Sequence, residues 1–390
     1  MLSTKPRGQG YQAQSHAQVV RAACRRWRNG EVAALWAEAK KRAKGPRTGG
    51  GRRARGREAE PTQEQKNLKR VATLLQEGQF SRASKALISR GIDQNSAEAR
   101  AQMVDKHPTV EVAPTPAEEN PSQPITLTSR QVYEAIRGFK AGTAPGPSGL
   151  RAEHLKEAKA ARTEGRGAAA LSSLTRLVNT MASGKVAAGV APYLCGGNLF
   201  AAVKKDGGYR PVAVGDILRR LTSKCVAYAV AARASNHLRP FQYGVGVRGG
   251  CEGMVHATRG TMSDTSIPQE DRWLLQVDFT NGFNQISRAH MFAEVRAHFP
   301  DISHWVELAY GEASVLNFGA GSILSTAGVH QGDPMGPMLW AVTHLPIAKK
   351  IQEEVAELKQ NCWFLDDGAL VAGGRRCKRR GTSSPSTAPP

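Results

Sequence analysis

Apolar positions recur along the chain with two periods, near 3.6 and near 2, and the switches between them divide it into elements. From Val19 to about Lys44 the spacing suits a basic helix with Trp27, Val32, Leu35 and Trp36 as its apolar positions. Over residues 62–107 the pattern is helical again. Leu68, Val71, Ala72 and Leu75 fall at i, i+3, i+4 and i+7, and a second short helix is predicted from Ser81 to Ser89. Pro108, Pro114, Pro116, Pro121 and Pro124, set among acidic residues, then mark 108–124 as a linker.

A new unit opens at Thr128. Thr128 and Gln131 fit a capping box, and Val132, Ile136 and Phe139 line one face of the helix that follows. A helix over 168–182 turns Leu171, Leu174, Leu177, Val178 and Met181 inward. The period then drops to two. Leu199–Val203 and Tyr209–Val214 read as strands joined by an Asp206-Gly207-Gly208 turn, with a helix from about Ile217 to Ser235 behind them. Leu274–Phe279 reads as a buried strand ending in one carboxylate, Asp278, before a helix near Ser287. Ser314–Phe318 and Ile323–Thr326 form a further hairpin, and the Gly328–Pro337 loop leads into an apolar helix from about Met338. The last patterned stretch, Asn361–Val371, predicts a hairpin with Asp366 and Asp367 at its tip and Gly368 supplying the turn.

Charge changes the picture through its placement. Lys and Arg number 54 against 33 Asp and Glu, a net charge of +21. Residues 1–57 carry 15 basic and 2 acidic residues, residues 375–390 carry 5 basic and none acidic, and the stretch between them is close to neutral. A polyanionic partner is implied, reached through the tails. Residues 40–57, rich in Gly and Arg, cannot bury a core and are expected to be disordered; such runs contact nucleic acid, serve as an import signal or merely solubilise. The six cysteines are scattered without a Cys-x-x-Cys pair, which argues against a zinc site and against a disulfide framework. No apolar run of about 18 residues is present, and the N-terminus has no signal-peptide core. The expectation is a soluble intracellular chain, nuclear or cytoplasmic. Its parts are a basic region over 1–60, a helical segment over 61–107, the linker at 108–124, a globular unit over 125–374 and a basic tail over 375–390.

Adjacent carboxylates repel unless a cation lies between them and something anionic. Asp366-Asp367 is also the pattern of an ordinary solvated turn, and a lone strand-end aspartate such as Asp278 is commonly a cap. If the three meet, though, they can hold two Mg²⁺ ions about 3.5–4 Å apart.

Several stretches, taken in order, resemble the reverse transcriptases of non-LTR (LINE-type) retrotransposons. Gly146–Leu155 resembles the motif at the start of the family's fingers, and Lys204–Val212 its fingers hairpin. Val277–Asn284 resembles motif A, Gln331–Pro337 motif B, and Phe364-Leu365-Asp366-Asp367 motif C. The series spans 125–373, and a weaker resemblance covers 68–108. It implies an α+β right-hand polymerase, with fingers and a ferredoxin-like palm. The implied activity is RNA-directed DNA polymerisation: nucleotidyl transfer from a dNTP to a DNA primer on an RNA template, with two Mg²⁺ as cofactors.

Residue roles follow from the same resemblance. Asp278, Asp366 and Asp367 would be the catalytic, metal-binding set. Phe283 would be the steric gate that favours dNTPs over ribonucleotides, rather than a core phenylalanine, which also speaks against an RNA product. Gln331 and Gly332 would line the nucleotide pocket, and Arg210 would clamp the triphosphate. Lys204 and Lys205 would assist it or simply be solvated, and Phe364 would pack under the primer end or belong to the core. After motif C the family continues into a further palm element, a primer grip and a thumb. Here Gly374 is followed by 16 residues of basic low-complexity sequence. The resemblance therefore implies a truncated polymerase without its thumb. The rival reading is an inactive remnant that binds nucleic acid through its basic tails.

Overall fold

The computed structural model describes residues 16–35, 37–38, 62–76, 78, 80–110, 122–140, 142–160, 166–187, 189–266, 268–269, 272–355 and 357–373. The expected disordered run at 40–57, the centre of the linker and the tail beyond residue 373 lie outside the described residues. The chain divides into two compact units, Met1–Ile88 and Ser89–Pro390.

In the first unit the basic helix is shorter than its pattern suggested. It spans His16–Arg28 and stops where Gly30 takes a left-handed conformation, with φ of 81°. Beyond that stop, Arg26 bonds both Glu31 and Glu38 at 2.8 Å. Trp27 stays exposed. The helices Gln63–Gln76 and Phe80–Ile88 pack through Val71 and Leu74 against Ala83 and Ala86. The buried face of the first of these is thus rotated from the expected one, leaving Leu68 and Leu75 exposed.

The second unit begins earlier than the linker. Strand β1 (Ile92–Asp93) pairs antiparallel with β2 (Gly197–Val203), and the helix Ala97–Asp105 buries Ala99 and Met103 against Leu199 and Tyr209. Residues 89–107 therefore belong to the larger unit and not to a helical segment ending at 107. Ser96 caps that helix by accepting from the Ala99 amide.

Two sheets organise this unit. In the five-stranded sheet, β2 pairs along its length with β3 (Tyr209–Gly215). On its other edge it meets β1 and, in parallel, β5 (Ser314–Phe318), which carries β6 (Gly321–Ser325). The second sheet runs β4 (Arg272–Asp278), β8 (Asp367–Gly373), β7 (Gln360–Phe364), antiparallel throughout. Helices fill the space around them: Ser129–Arg137, Arg166–Ala182, Ile217–Leu238, Arg288–His298, Pro300–Tyr310 and Gly336–Glu354 share one core that includes Val132, Met181, Leu221, Phe292, Trp305 and Leu339. The Thr128/Gln131 capping box forms in full. No described helix is long and apolar enough to cross a membrane.

Two sequence expectations are overturned here. The strand β4 is not buried: Trp273, Leu274 and Leu275 are 41%, 37% and 51% exposed, and since successive side chains alternate, both faces of β4 are open at these positions. The turn of the last hairpin is also not made by Gly368. Phe364 pairs with Asp367, so the turn is Leu365-Asp366, with Leu365 at φ 56°. Gly368 lies inside β8 beneath the Trp363 ring, where a Cβ would come 2.5 Å from the Trp363 Cζ3. Its small size serves packing.

Candidate active site

Antiparallel register sets the acidic wall. Asp278, the last residue of β4, is the partner of Asp367, the first of β8, with Val277 opposite Gly368. Register partners project to the same face, so the two carboxylates are neighbours across the strands. Asp366 precedes Asp367 in the turn. That turn is held by a residue the sequence reading missed: buried Gln242 accepts the Leu365 amide at 2.7 Å, and its Nε2 donates to the Leu365 carbonyl at 3.4 Å. The amide side chain compensates a non-glycine residue forced into left-handed backbone.

A cleft of about 740 Å³ opens beside this wall. Asp278 and Asp366 line it together with Lys204 and Arg210 from the β2–β3 hairpin, Phe283, Gln331 and Gly332. Asp367 is exposed and is not among the lining residues, and neither is Phe364, which is half-buried at the end of β7. Lys205 is exposed on the hairpin turn.

Local chemistry explains the shape. The Ala213 amide donates to the Gln331 carbonyl at 2.9 Å, which lays the loop against β3. Gly332, at φ 133°, sits where a Cβ would be 2.3 Å from the Ala213 carbonyl oxygen, so only glycine allows this approach. Phe283 stacks on Trp340 at 6.0 Å between ring centroids, and its carbonyl accepts from Val329 at 2.7 Å. Beneath lies an aromatic cluster in which His344 stacks on Trp340 at 4.8 Å and meets Trp363 and Phe279. Burial pushes the His344 imidazole down to about 4, so it is neutral at pH 7.

A buried ionic network fixes the Gln331–Gly332 loop from behind, and the sequence reading missed this too. Arg219 pairs with Asp333 at 3.1 Å, the two side chains being 1% and 3% exposed. Tyr310 donates to Asp333 at 2.7 Å, and the Asp333 carboxylate also accepts from the Met335 amide at 3.0 Å. Arg219 also donates to Nδ1 of His330 at 2.9 Å. A guanidinium can only donate, so His330 is a neutral imidazole whose Nε2–H faces Ser314 and Ser325. Burial and Arg219 hold it uncharged. Arg288, anchored on the Gly328 carbonyl at 3.0 Å, steadies the start of the same loop.

The acidic wall repels itself. Burial raises the Asp366 carboxyl above the usual carboxylate range, and the charges of Asp367 and Asp278 push it the same way, against its backbone hydrogen bond and the pull of Arg210. Such a carboxyl welcomes a cation. Among the described residues, no three His, Cys, Asp or Glu side chains form a ready metal cage. Two carboxylates on an open cleft nevertheless suit an ion such as Mg²⁺, which keeps several positions for water and phosphate.

Basic side chains of the β2–β3 hairpin and the carboxylates of Asp278 and Asp366 thus line one cleft. Comparison with known proteins gives its kind. Residues 202–380 match the family described as Reverse transcriptase (RNA-dependent DNA polymerase). Over 269 residues, 67% of its length, the chain is 24% identical to the retrotransposable element SLACS 132 kDa protein of Trypanosoma brucei gambiense, of which it spans about a fifth (21%). Among solved structures, apo telomerase from Candida tropicalis, truncated from its C-terminal domain, aligns at a TM-score of 0.36 and 12% identity over 49% of this chain and 46% of that one. Residues 202–380, which carry most of the cleft lining, are thus similar to the reverse transcriptase family, and the chain is more widely similar to a retrotransposable-element protein.

Proposed function

We propose that this cleft is the nucleotidyl-transfer site of an RNA-directed DNA polymerase encoded by a retroelement. The observation that carries the proposal is the pairing of Asp278 with Asp367 across β4 and β8, next to Asp366, on a cleft that also holds Arg210. In this reading the five-stranded sheet with its Lys204/Arg210 hairpin serves as fingers and the three-stranded sheet as palm. Asp278 and Asp366 would hold the divalent cations, two Mg²⁺ in all, with Asp367 reinforcing the negative field, and such ions would supply charge neutralisation for the phosphates and acidify the primer 3′-hydroxyl.

The chain's own residues do the rest. Arg210 forks onto the triphosphate and Lys204 adds charge. Gln331 and Gly332 shape the floor on which the nucleotide lies, since the loop is fixed to β3. Phe283, held by its stack on Trp340, crowds the ribose 2′ position and selects deoxyribonucleotides. Phe364 supports the primer end from the hairpin that carries Asp366. Template RNA and primer DNA are the macromolecular partners.

The competing reading is an inactive nucleic-acid binder. The exposed apolar strand β4, with Leu275 51% exposed, favours it, because a working palm sheet needs that surface covered. Primer extension on an RNA template with dNTPs and Mg²⁺ separates the two. Extension with dNTPs, and with ribonucleotides only when Phe283 is replaced by Val, supports the polymerase. Salt-sensitive RNA binding without extension supports the binder.

A further inference from the structure

The cleft has a third basic side chain, and it comes from outside the stretch that matches the reverse transcriptase family. We propose that Lys106 binds phosphate in this cleft and, with Arg210, takes the polyphosphate of the incoming nucleoside triphosphate. The proposal rests on the polymerase reading given above and adds a residue to its substrate site.

Lys106 lines the cleft and is half-buried. It is the first residue past the helix Ala97–Asp105, and its amide donates to the Gln102 carbonyl at 3.0 Å while the next amide, His107, donates to the Val104 carbonyl at 3.0 Å. That helix is fixed to the strand that carries Arg210. Met103 is fully buried against Leu199 and Tyr209, and Gln102 Oε1 accepts the Tyr209 amide at 3.2 Å, one residue before Arg210. On the other side, Asn281, three residues past Asp278, donates from Nδ2 to the Lys106 carbonyl at 2.8 Å. Asn281 is itself held, in left-handed backbone at φ 56°, by Asn284 at 2.9 Å. Thr326 then ties down the following residues, donating to the Pro108 carbonyl and accepting the Val110 amide, both at 3.0 Å.

The Lys106 carbonyl is thus bonded to the turn after Asp278, and the helix before it is bonded through Gln102 to the strand that carries Arg210. The Lys106 ammonium makes no ion pair among the described residues. A fixed main chain bearing an uncommitted charge, placed on a cleft with Lys204, Arg210 and the carboxylates of Asp278 and Asp366, suits a mobile anion that arrives with a metal. The cleft volume of about 740 Å³ is large enough for one nucleotide, and titration separates a triphosphate from a nucleic-acid phosphate.

None of these anchoring bonds uses the Lys106 side chain, so Lys106→Ala keeps them and leaves the fold in place. The experiment uses the full chain as wild type, Lys106→Ala and Lys106→Arg. A fluorescent, non-hydrolysable dNTP with Mg²⁺ is titrated without nucleic acid, an RNA–DNA hybrid is titrated over a range of salt, and dNTP KM and kcat are measured by primer extension. Lys106→Ala is expected to weaken triphosphate binding about tenfold and to raise KM to match, with kcat changed less than about threefold. Lys106→Arg restores both, and hybrid affinity stays put. Unchanged triphosphate affinity in Lys106→Ala overturns the proposal. So does a loss of hybrid affinity with a salt slope smaller by about one, which would assign the lysine to a nucleic-acid phosphate. A chain that binds triphosphate through Lys106 but extends no primer upholds the site and overturns only the polymerase reading. A chain that binds no triphosphate overturns both.

Discussion

Asp278 and Asp367 face one another as register partners on adjacent antiparallel strands. Residues 89 positions apart in a chain meet this way only through sheet pairing, and like charges directly opposite cost stability. The wall is therefore a place where the fold holds like charges together.

Removing one charge should relieve that cost. With burial and its two acidic neighbours already raising the Asp366 carboxyl, Asp366→Asn is expected to raise the Tm of the metal-free chain. Added Mg²⁺ should stabilise the wild type and not the variant, by the linkage of binding to folding. Calorimetry with and without Mg²⁺ checks both.

Acid should weaken the fold through His344. Its folded pKa of about 4 lies below the usual value for histidine, so the unfolded chain takes up its proton first. Stability is fully present above about pH 6.5 and falls as pH drops toward 4, by up to about 3 kcal/mol. His344→Gln should flatten the dependence of Tm on pH across that window.

Gly332→Ala tests the approach of the loop to β3. A Cβ would lie 2.3 Å from the Ala213 carbonyl oxygen at a φ of 133°, so Gln331 must shift. The expected cost is about 1–3 kcal/mol of stability, and the dNTP KM should rise more than kcat falls. Urea melts and steady-state kinetics read the two effects separately.

The Arg219–Asp333 pair should show strong coupling. Each side chain is almost fully buried, so Arg219→Met or Asp333→Leu alone strands a charge and costs about 3–5 kcal/mol. The double variant should lose clearly less than the two single losses together. A double-mutant cycle by chemical denaturation measures this.

What the sequence disclosed was mostly local. The Thr128/Gln131 capping box, the hairpin around Asp206-Gly207-Gly208 and the strand ending in Asp278 depend on spacing within a few residues, and each is found where the pattern placed it. Exposure of β4 was not legible, because an apolar run looks alike whether or not another element covers it. Gly368 was misread because a glycine beside two aspartates imitates a turn, whereas its neighbour across the sheet, Trp363, decides its role. Gln242, Arg219 and Lys106 carry no motif of their own. Their partners Leu365, Asp333 and Asn281 are more than a hundred residues away, and only tertiary contact reveals them.

The most direct measurement is primer-extension rate on an RNA template for Asp278→Asn, Asp366→Asn and Asp367→Asn, with RNA–DNA hybrid affinity measured in parallel. A shared site requires Asp278→Asn and Asp366→Asn each to slow extension by at least about a hundredfold, Asp367→Asn to slow it clearly, and hybrid affinity to stay within about threefold of wild type. Wild-type extension by the Asp278→Asn or Asp366→Asn chain would show that these carboxylates do not act together.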